Sequence, residues 1–275
     1  MMGAELTTYW RSEISEVRGD KVWIRGYDLE ELIGGLPFTA SAFLLVRGRM
    51  PTPQESRVLD AVLNGVLDYS LRKPGTVAAR HVVSANPSMV AGLAAATLAV
   101  GQHTLATEDA ARFITESYEG YRASGLGMTD YAEQLVAKRA EARAHIPGFG
   151  HPVFKKVDPR AAELCRIAVE AGMWDEACRL YEEVHRVFTR PEKKADIPIN
   201  DVGMMAALMV GLGFSPEEST GLATISTLPG VVAHISEELR SGTPIRVVPD
   251  EIATYEASIG RDFDRDRRSA GWPDH

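Results

Sequence analysis

Two short stretches of the sequence carry residues that could do chemistry. In PGFGHPVFKKVDPR, His151 follows Gly148 and Gly150, and Arg160 closes the stretch. Glycines allow backbone conformations and close ligand approach that larger residues resist, while prolines stiffen the chain after the histidine. The pattern predicts a histidine held on a loop between two helices. A helix-connecting turn with a surface histidine explains the same residues equally well.

The second stretch, IPIND, places a carboxylate at the head of an apolar segment. Asp201 is followed by VGMMAALMVGLG. Apolar surroundings raise the pKa of a carboxyl group and bring it toward the range of a general base. Either Asp201 or the Asp158 of the first stretch could instead simply cap the helix that comes after it. The residues alone leave both alternatives open.

Helices must position these residues, because apolar residues recur at helical spacing along most of the chain. The stretch DKVWIRGYDLEELI alternates at first, which predicts a short hairpin or extended entry ahead of a helix. Gly48 and the nearby prolines separate two further helices, with Thr52 as the cap of the second. The Ala/Gly-rich run MVAGLAAATLAVG predicts a closely packed, central helix. The chain shows no βαβ alternation and no fixed repeat, so the predicted fold is mainly α.

Composition narrows the functional classes. Of the 275 residues, 45% are hydrophobic and 25% are charged, as is usual for folded globular proteins. The length fits one large domain or two unequal ones. A net charge of -8 argues against nucleic acid as a partner. The start of the chain lacks the features of a signal peptide. The apolar runs are too short to span a bilayer, which argues against a membrane as a partner. Cys165 and Cys178 lack the spacing of a zinc site, which predicts reduced thiols, no metal and a cytoplasmic location.

Taken together, the two stretches resemble the citrate synthase superfamily. GFGHPVFKKVDPRA is similar to its glycine-histidine loop, and PIND is similar to its proline-to-aspartate motif. Further matches extend the resemblance over nearly the whole chain: RGYDLEELI, FLLVRGRMPTPQE, GLATISTLPGVVAHISEELRSG and PIRVVP. With TTYWRSEIS at its start, the chain most resembles the citryl-CoA lyase branch, which is related to the C-terminal module of ATP-citrate lyase.

The resemblance implies an all-α, citrate-synthase-like two-domain fold and a homodimer. Residues 1–103 and 197–275 would form a large domain with the dimer interface, and residues 104–196 a small inserted domain. The site would lie in the cleft between them. The implied activity is carbon–carbon cleavage of an acyl-CoA thioester to a small 2-oxo acid and a shorter acyl-CoA, or the reverse condensation, with coenzyme A thioester as substrate and no metal.

Residue roles are also implied by the resemblance. His151 would handle the oxygen at the central carbon of the substrate, and Asp201 would exchange the proton at the carbon next to the thioester. Arg160 would bind a substrate carboxylate, and Arg246 matches the arginine that reaches across the dimer. The predicted contacts to coenzyme A are Gly148, Gly150, Lys155, Lys156 and Lys194.

Two positions depart from the family pattern. The histidine of a histidine-glycine-glycine element, which supports the thioester enol oxygen, is replaced by Thr104. His103 beside it could take over this catalytic role, or could be an ordinary histidine at a helix end. Thr227 stands where synthases that bind oxaloacetate have an arginine, and a threonine lacks the bidentate grip on a carboxylate. Thr104 and Thr227 are therefore predicted to alter substrate binding. The alternative is a non-catalytic thioester-binding relative or a partner subunit of an active paralogue.

Overall fold

The computed structural model describes residues 9–101 and 103–273. Within them, 61% of the chain is helical, which confirms the all-α prediction, and the expected hairpin forms part of a small sheet. Its antiparallel strands pair in the order β1 (Ser15–Arg18), β2 (Lys21–Ile24) and β3 (Tyr27–Asp28). The α-helices are α1 (Leu29–Gly35), α2 (Phe38–Arg47), α3 (Pro53–Asn64), α4 (Pro74–Ala85), α5 (Met89–Leu98), α6 (Thr107–Ser124), α7 (Met128–Glu141), α8 (Pro159–Glu170), α9 (Glu176–Phe188), α10 (Asp201–Gly211), α11 (Pro216–Ser241) and α12 (Phe263–Ser269).

Side-chain caps fix the start of several helices. Thr52 caps α3, as predicted: its hydroxyl accepts a hydrogen bond from the N–H of Glu55 (3.1 Å), and the Glu55 carboxylate accepts one from the N–H of Thr52 (2.8 Å). Asp158 likewise caps α8 by accepting from the N–H of Arg160. The cap of α10 is Asn200 and not Asp201, so Asp201 is the first residue of the helix itself. Its carboxylate is therefore free for other contacts.

The buried apolar residues form two clusters. The larger one joins α2, α3, α6, α8, α9 and α10 and includes the buried side chains of Phe43, Leu59, Ile114 and Met205. The smaller one joins α4, α5 and the later half of α11 through Ala79, Val83, Ala96, Val231 and Ile235. Helix α11 contributes to both, since Leu222 and Ala223 belong to the larger cluster. The predicted domain boundaries after 103 and after 196 stay predictions.

Helix α5 packs closely on one side only. An added Cβ at Gly92 would lie 2.6 Å from Ile235 and 2.7 Å from Val83, so glycine is needed for this approach of α5 to α11 and α4. Only Gly92 and Ala96 of the helix are buried, while Val90 and Leu98 are exposed. In the single chain, α5 is thus a surface helix and not the central one predicted. In the part of the chain that is described, every helix falls short of the length and apolarity that a membrane crossing requires.

Candidate active site

The two stretches singled out in the sequence pair with each other. The N–H of Gly150 donates to the carbonyl of Pro198 (2.8 Å), and the N–H of Asn200 donates to the carbonyl of Gly148 (2.9 Å). The Asn200 side chain closes the pairing by donating to the carbonyl of Gly150 (2.8 Å). His151 and Asp201 each come one residue after this pairing. The backbone hydrogen bonds therefore bring them into one site, although they lie far apart in the sequence.

Gly148 makes this pairing possible because it leaves room for its neighbours. Its φ is +81°, and an added Cβ would lie 2.5 Å from Cα of Gly203 and would overlap the hydroxyl of Tyr181. That hydroxyl donates to the carbonyl of Pro147 (2.8 Å) from a buried ring. Gly148 thus serves the packing of the loop against α9 and α10. Its predicted contact with coenzyme A, like that of Gly150 (φ +93°), stays a prediction.

We expect Gly148→Ala to lower the free energy of unfolding by about 3 kcal/mol, because the methyl group adds overpacking to a left-handed backbone conformation. Gly125→Ala is the matched control, since Gly125 has φ +68° with open space around its Cα. This control should cost about 1 kcal/mol. Urea denaturation of both variants measures the difference. Equal losses would show that backbone conformation, and not the contact with Gly203 and Tyr181, accounts for the glycine.

Arg160 lies at the centre of the site and holds three of its side chains. Its Nη1 donates to Asp201 Oδ2 (2.6 Å), and its Nη2 donates to Asp158 Oδ2 (2.7 Å). Nη2 also lies 3.2 Å from Nε2 of His151. The predicted residues His151, Arg160 and Asp201 are therefore in direct contact. Asp158 is both the cap of α8, as the sequence predicts, and the ion-pair partner of Arg160.

The pKa values of the two carboxylates of the site are shifted in opposite directions. Burial acts to raise the pKa of Asp158, but its hydrogen bonds with the side chain and N–H of Arg160 outweigh burial, and the pKa lies below the usual value. At Asp201 burial is again the largest influence, and the negative charge of Asp158 adds to it. These two effects exceed the pull of Arg160, so the pKa of Asp201 is raised. Asp158 is thus a permanent counter-ion, while Asp201 is suited to gain and lose a proton.

His151 is oriented by contacts at both ring nitrogens. Its Nδ1 accepts from the N–H groups of Val153 (3.1 Å) and Phe154 (3.0 Å). Its Nε2 lies 3.2 Å from Nη2 of Arg160, which can only donate, and 3.5 Å from the Tyr69 hydroxyl. Nε2 therefore faces the centre of the site and the positive charge of Arg160.

A turn before α4 closes the other side of the site. The Tyr69 ring lies 5.3 Å from Cζ of Arg160. Asp68 Oδ1 contacts Nε2 of His234 on α11 (3.2 Å), and Gly230 on the same helix leaves room for the turn, since an added Cβ would lie 2.8 Å from Asp68 Cβ. Sequence reasoning missed Tyr69 because DYSLRKP carries no spacing that points to His151. His234 on α11 anchors this turn through its contact with Asp68.

The arrangement around Arg160 also bears on metal binding. Ligand atoms of His151, Asp158 and Asp201 lie within 4.8 Å of one another, a spacing that could hold a metal ion. The Arg160 guanidinium lies among the same atoms and contacts all three side chains. The guanidinium thus supplies positive charge to the two carboxylates, and the predicted absence of a metal stays a prediction.

The remaining predicted substrate residues lie apart from this cluster in the single chain. Arg246 donates to both oxygens of the buried Glu238 carboxylate, from Nε (2.7 Å) and from Nη2 (2.9 Å). Thr227 is buried in α11, and its hydroxyl donates to the carbonyl of Thr224 (2.9 Å). His103 is exposed and Thr104 is half-buried in a tight turn where Thr104 and Gly101 exchange two backbone hydrogen bonds.

The predicted lysine contacts lie around the loop. Lys155 is exposed, and its Nζ donates to the carbonyl of His151 (3.3 Å). Lys156 is exposed and lies 3.8 Å from Asp196 Oδ1. Lys194 is half-buried, with Nζ 4.1 Å from the centre of the Phe188 ring. Of the three, Lys155 contacts a residue of the site directly.

Comparisons with known proteins agree with the motifs. The sequence profile described as "Citrate synthase, C-terminal domain" matches residues 51–247. The structure of citryl-CoA lyase from Hydrogenobacter thermophilus is 33% identical and superposes with a TM-score of 0.86 over 95% of this chain and 100% of that chain. The structure of ATP citrate lyase from Methanothrix soehngenii, in complex with citrate and coenzyme A, shares the fold: 22% identity, TM-score 0.78, 93% of this chain and 43% of that one.

Among curated sequences, citrate synthase 2 of Bacillus subtilis is 26% identical over 203 residues, which cover 73% of this chain and 52% of that protein. The glyoxysomal citrate synthase of Cucurbita maxima is 24% identical over 76% of this chain and 40% of its own length. This chain therefore spans about half the length of the citrate synthases that it matches.

Proposed function

Because this chain belongs to the citrate synthase family, we propose that it is a citryl-CoA-lyase-like carbon–carbon lyase. It cleaves an acyl-CoA thioester into a 2-oxo acid and a shorter acyl-CoA, or joins the two in reverse. The profile match confirms the resemblance drawn from the motifs. The observation that carries the proposal is the contact of Arg160 with both the buried carboxylate of Asp201, whose pKa is raised, and Nε2 of His151.

Asp201 moves the proton at the carbon next to the thioester. In the condensation direction its carboxylate takes this proton, and the resulting enolate attacks the carbonyl carbon of the 2-oxo acid. In cleavage the carbon–carbon bond breaks, the electron pair passes to the carbon next to the thioester, and protonated Asp201 returns the proton there. A raised pKa lets one carboxyl group serve both directions.

His151 acts at the oxygen of the 2-oxo acid carbonyl. In cleavage the unprotonated Nε2 takes the proton of the substrate hydroxyl as the carbonyl forms, and in condensation the protonated Nε2 returns it to the alkoxide. Arg160 lies 3.2 Å from Nε2 and supplies positive charge at the place where the oxygen becomes negative. Donors already oriented toward a developing negative charge stabilise the transition state most strongly. Arg160 is also the proposed contact for a substrate carboxylate.

The substrate carries coenzyme A, which is large and anionic. ATP citrate lyase from Methanothrix soehngenii was solved with citrate and coenzyme A bound, and this chain shares its fold. The exposed Lys155 and Lys156 and the half-buried Lys194 are proposed phosphate contacts, and Gly148 and Gly150 form the loop that faces the thioester. The second substrate is a small 2-oxo acid.

His103 is the proposed donor to the enol oxygen, since Thr104 stands at the family's histidine position and His103 is exposed in the adjacent turn. We expect His103→Ala to lower turnover by more than about ten-fold, as the loss of one such donor does. The exposed His145 gives the control His145→Ala, which should keep turnover within about two-fold. If both variants turn over equally well, His103 has no catalytic role.

A second candidate, a thioester-binding or partner subunit without turnover of its own, is favoured by the replaced histidine and by Thr227. Incubation of the protein with a panel of acyl-CoA thioesters, citryl-CoA included, separates the two candidates. The lyase proposal predicts a 2-oxo acid and a shortened acyl-CoA by mass spectrometry. Binding of a thioester without cleavage, together with activation of an active homologue on mixing, would support the second candidate.

The protein is also proposed to form a homodimer and to be cytoplasmic. A homodimer would cover apolar side chains that the single chain leaves exposed on α4, α5 and α11, namely Val82, Val90, Leu98, Ile225, Val232 and Leu239. Within such a dimer Arg246 is the proposed contact to the site of the partner subunit.

The cleft would separate a large domain (1–103 and 197–275) from a small one (104–196). The free thiols of Cys165 and Cys178 support a cytoplasmic location.

A further inference from the structure

Lys73 ends the turn that lies against the active site. The turn begins at Asp68, whose carboxylate accepts from the N–H of Ser70 (3.0 Å), and continues with Tyr69. Tyr69 contacts the site through its ring, 5.3 Å from Cζ of Arg160. The N–H of Lys73 donates to the carbonyl of Ser70 (3.3 Å), and α4 starts at the next residue. The position of Lys73 is thus fixed by the same turn that closes the site.

The side chain of Lys73 is half-buried near two carboxylates. Burial lowers its pKa, while the charges of Asp68 and Asp201 act in the opposite direction. Over residues 9–101 and 103–273, the carboxylates of Asp201 and Asp68 contact Arg160 (2.6 Å) and His234 (3.2 Å), and the half-buried Lys73 ammonium forms no ion pair with either. A half-buried cation without a partner costs stability, which is typical of a residue whose partner is a ligand.

The charges of the site within one chain favour a further cation. One guanidinium, that of Arg160, faces the two carboxylates of Asp158 and Asp201 at 2.7 and 2.6 Å. A substrate carboxylate that approached Arg160 alone would therefore meet an excess of negative charge whenever Asp201 is ionised. Arg160 is also engaged with both aspartates, so it can bind a new anion only by giving up part of these contacts.

Building on the proposed function, we infer that Lys73 binds the carboxylate of the 2-oxo acid and thereby determines which carbonyl substrate the site accepts. The position where oxaloacetate-binding synthases have an arginine is Thr227, which carries no charge and whose hydroxyl is already bonded to Thr224. Lys73 supplies a positive charge from the turn before α4. An ammonium group is a point charge and does not grip two oxygens in a fixed plane, so the site tolerates more varied carboxylates than an arginine would.

Equilibrium binding to the purified full chain tests this role without requiring turnover. Oxaloacetate and pyruvate serve as carboxylate probes, and acetyl-CoA serves as the thioester probe, each measured by isothermal titration calorimetry. The carboxylate probe that binds wild type more tightly is used for the comparison. We expect Lys73→Met to raise the dissociation constant of this probe by about ten-fold to a hundred-fold, the range expected for one charged hydrogen bond. Lys73→Arg should stay within about three-fold of wild type, and acetyl-CoA binding should change by less than about two-fold.

Arg72→Met is the matched control, since Arg72 is the exposed residue next in sequence on the same turn. It should leave binding of all three probes unchanged. Unchanged carboxylate binding in Lys73→Met, an equal loss of acetyl-CoA binding, or a wild type that binds neither carboxylate would overturn the inference. If the protein cleaves a thioester but binds the carboxylate probes equally well with and without Lys73, only the role of Lys73 is refuted. Lys73-dependent binding without turnover of any thioester would refute only the lyase proposal.

Discussion

Asp201→Asn is expected to lower turnover of the thioester substrate by about a thousand-fold, because asparagine can neither take nor return the proton at the carbon next to the thioester. The shape of the side chain is kept, and its oxygen can still accept from Nη1 of Arg160. Binding of acetyl-CoA should therefore stay within about two-fold of wild type. The loss would appear in kcat and not in KM, as expected for an interaction made in the transition state.

The same variant should not weaken the fold. A carboxyl group whose pKa is raised in the folded state contributes stability at pH values below its unfolded pKa, and this contribution is lost as pH rises through the folded pKa. At neutral pH the ionised Asp201 thus costs stability, whereas a neutral asparagine does not. We expect the melting temperature of Asp201→Asn at pH 7 to equal or exceed that of wild type.

Asp196→Asn is the control for this variant, since Asp196 precedes the same helix and its side chain is exposed. It should leave both turnover and melting temperature unchanged. Full turnover by Asp201→Asn would remove this residue from the mechanism. A large fall in melting temperature would show that the carboxylate is a structural partner of Arg160 rather than the proton carrier.

Arg160→Met should show the second large effect, on stability and on turnover together. The variant leaves the carboxylate of Asp158, whose side chain is fully buried, without its cation. Removing one partner of a buried pair costs about 3 kcal/mol of the free energy of unfolding, and turnover should fall by at least about a hundred-fold through loss of the positive charge in the site. Urea denaturation and the thioester assay measure the two effects.

The stability loss in Arg160→Met should depend on pH. The pKa of Asp158 is below the usual value in the wild type, so its pairing contributes stability above the unfolded pKa and this is lost as pH falls through the folded pKa. Without Arg160, burial instead raises the pKa of Asp158, and the carboxyl group is protonated more readily. The difference between variant and wild type should therefore be largest near pH 7 and narrow as pH approaches about 4.

Arg166→Met on the same helix is the matched control. Arg166 also pairs with two carboxylates, those of Glu163 and Glu170, but all three side chains are about half exposed. Exposed ion pairs contribute little, so this variant should lose less than about 1 kcal/mol and keep full turnover. Equal stability losses at Arg160 and Arg166, with no pH dependence, would contradict the buried-pair account.

Much of the fold can be predicted from local sequence signals. Thr52 caps α3 because a hydroxyl three residues before Glu55 satisfies the first turn of a helix, and this can be read from the sequence alone. The sequence was less informative about α5, because its small residues fit equally well in a protein centre and on a surface with one packed side. Only the close approach of Gly92 to Ile235 distinguishes the two.

The active site was predictable where its residues belong to motifs. His151, Arg160 and Asp201 came from the glycine-histidine and PIND stretches, and the pairing of Gly150 with Pro198 explains why both stretches are needed. Tyr69 was missed because it reaches the site through a turn that comes after α3, and nothing in its local sequence reports a contact across the fold. Long-range contacts of this kind depend on how α11 packs against the turn.

The most direct test of the central claim is to incubate the purified protein with the acyl-CoA panel, citryl-CoA included, in D2O and to analyse the products by mass spectrometry. The proposed chemistry predicts a 2-oxo acid and a shortened acyl-CoA that carries one deuterium at the carbon next to the thioester. This deuterium arrives from Asp201, so Asp201→Asn should give neither product. A folded wild-type protein that cleaves no member of the panel would contradict the assignment as a carbon–carbon lyase.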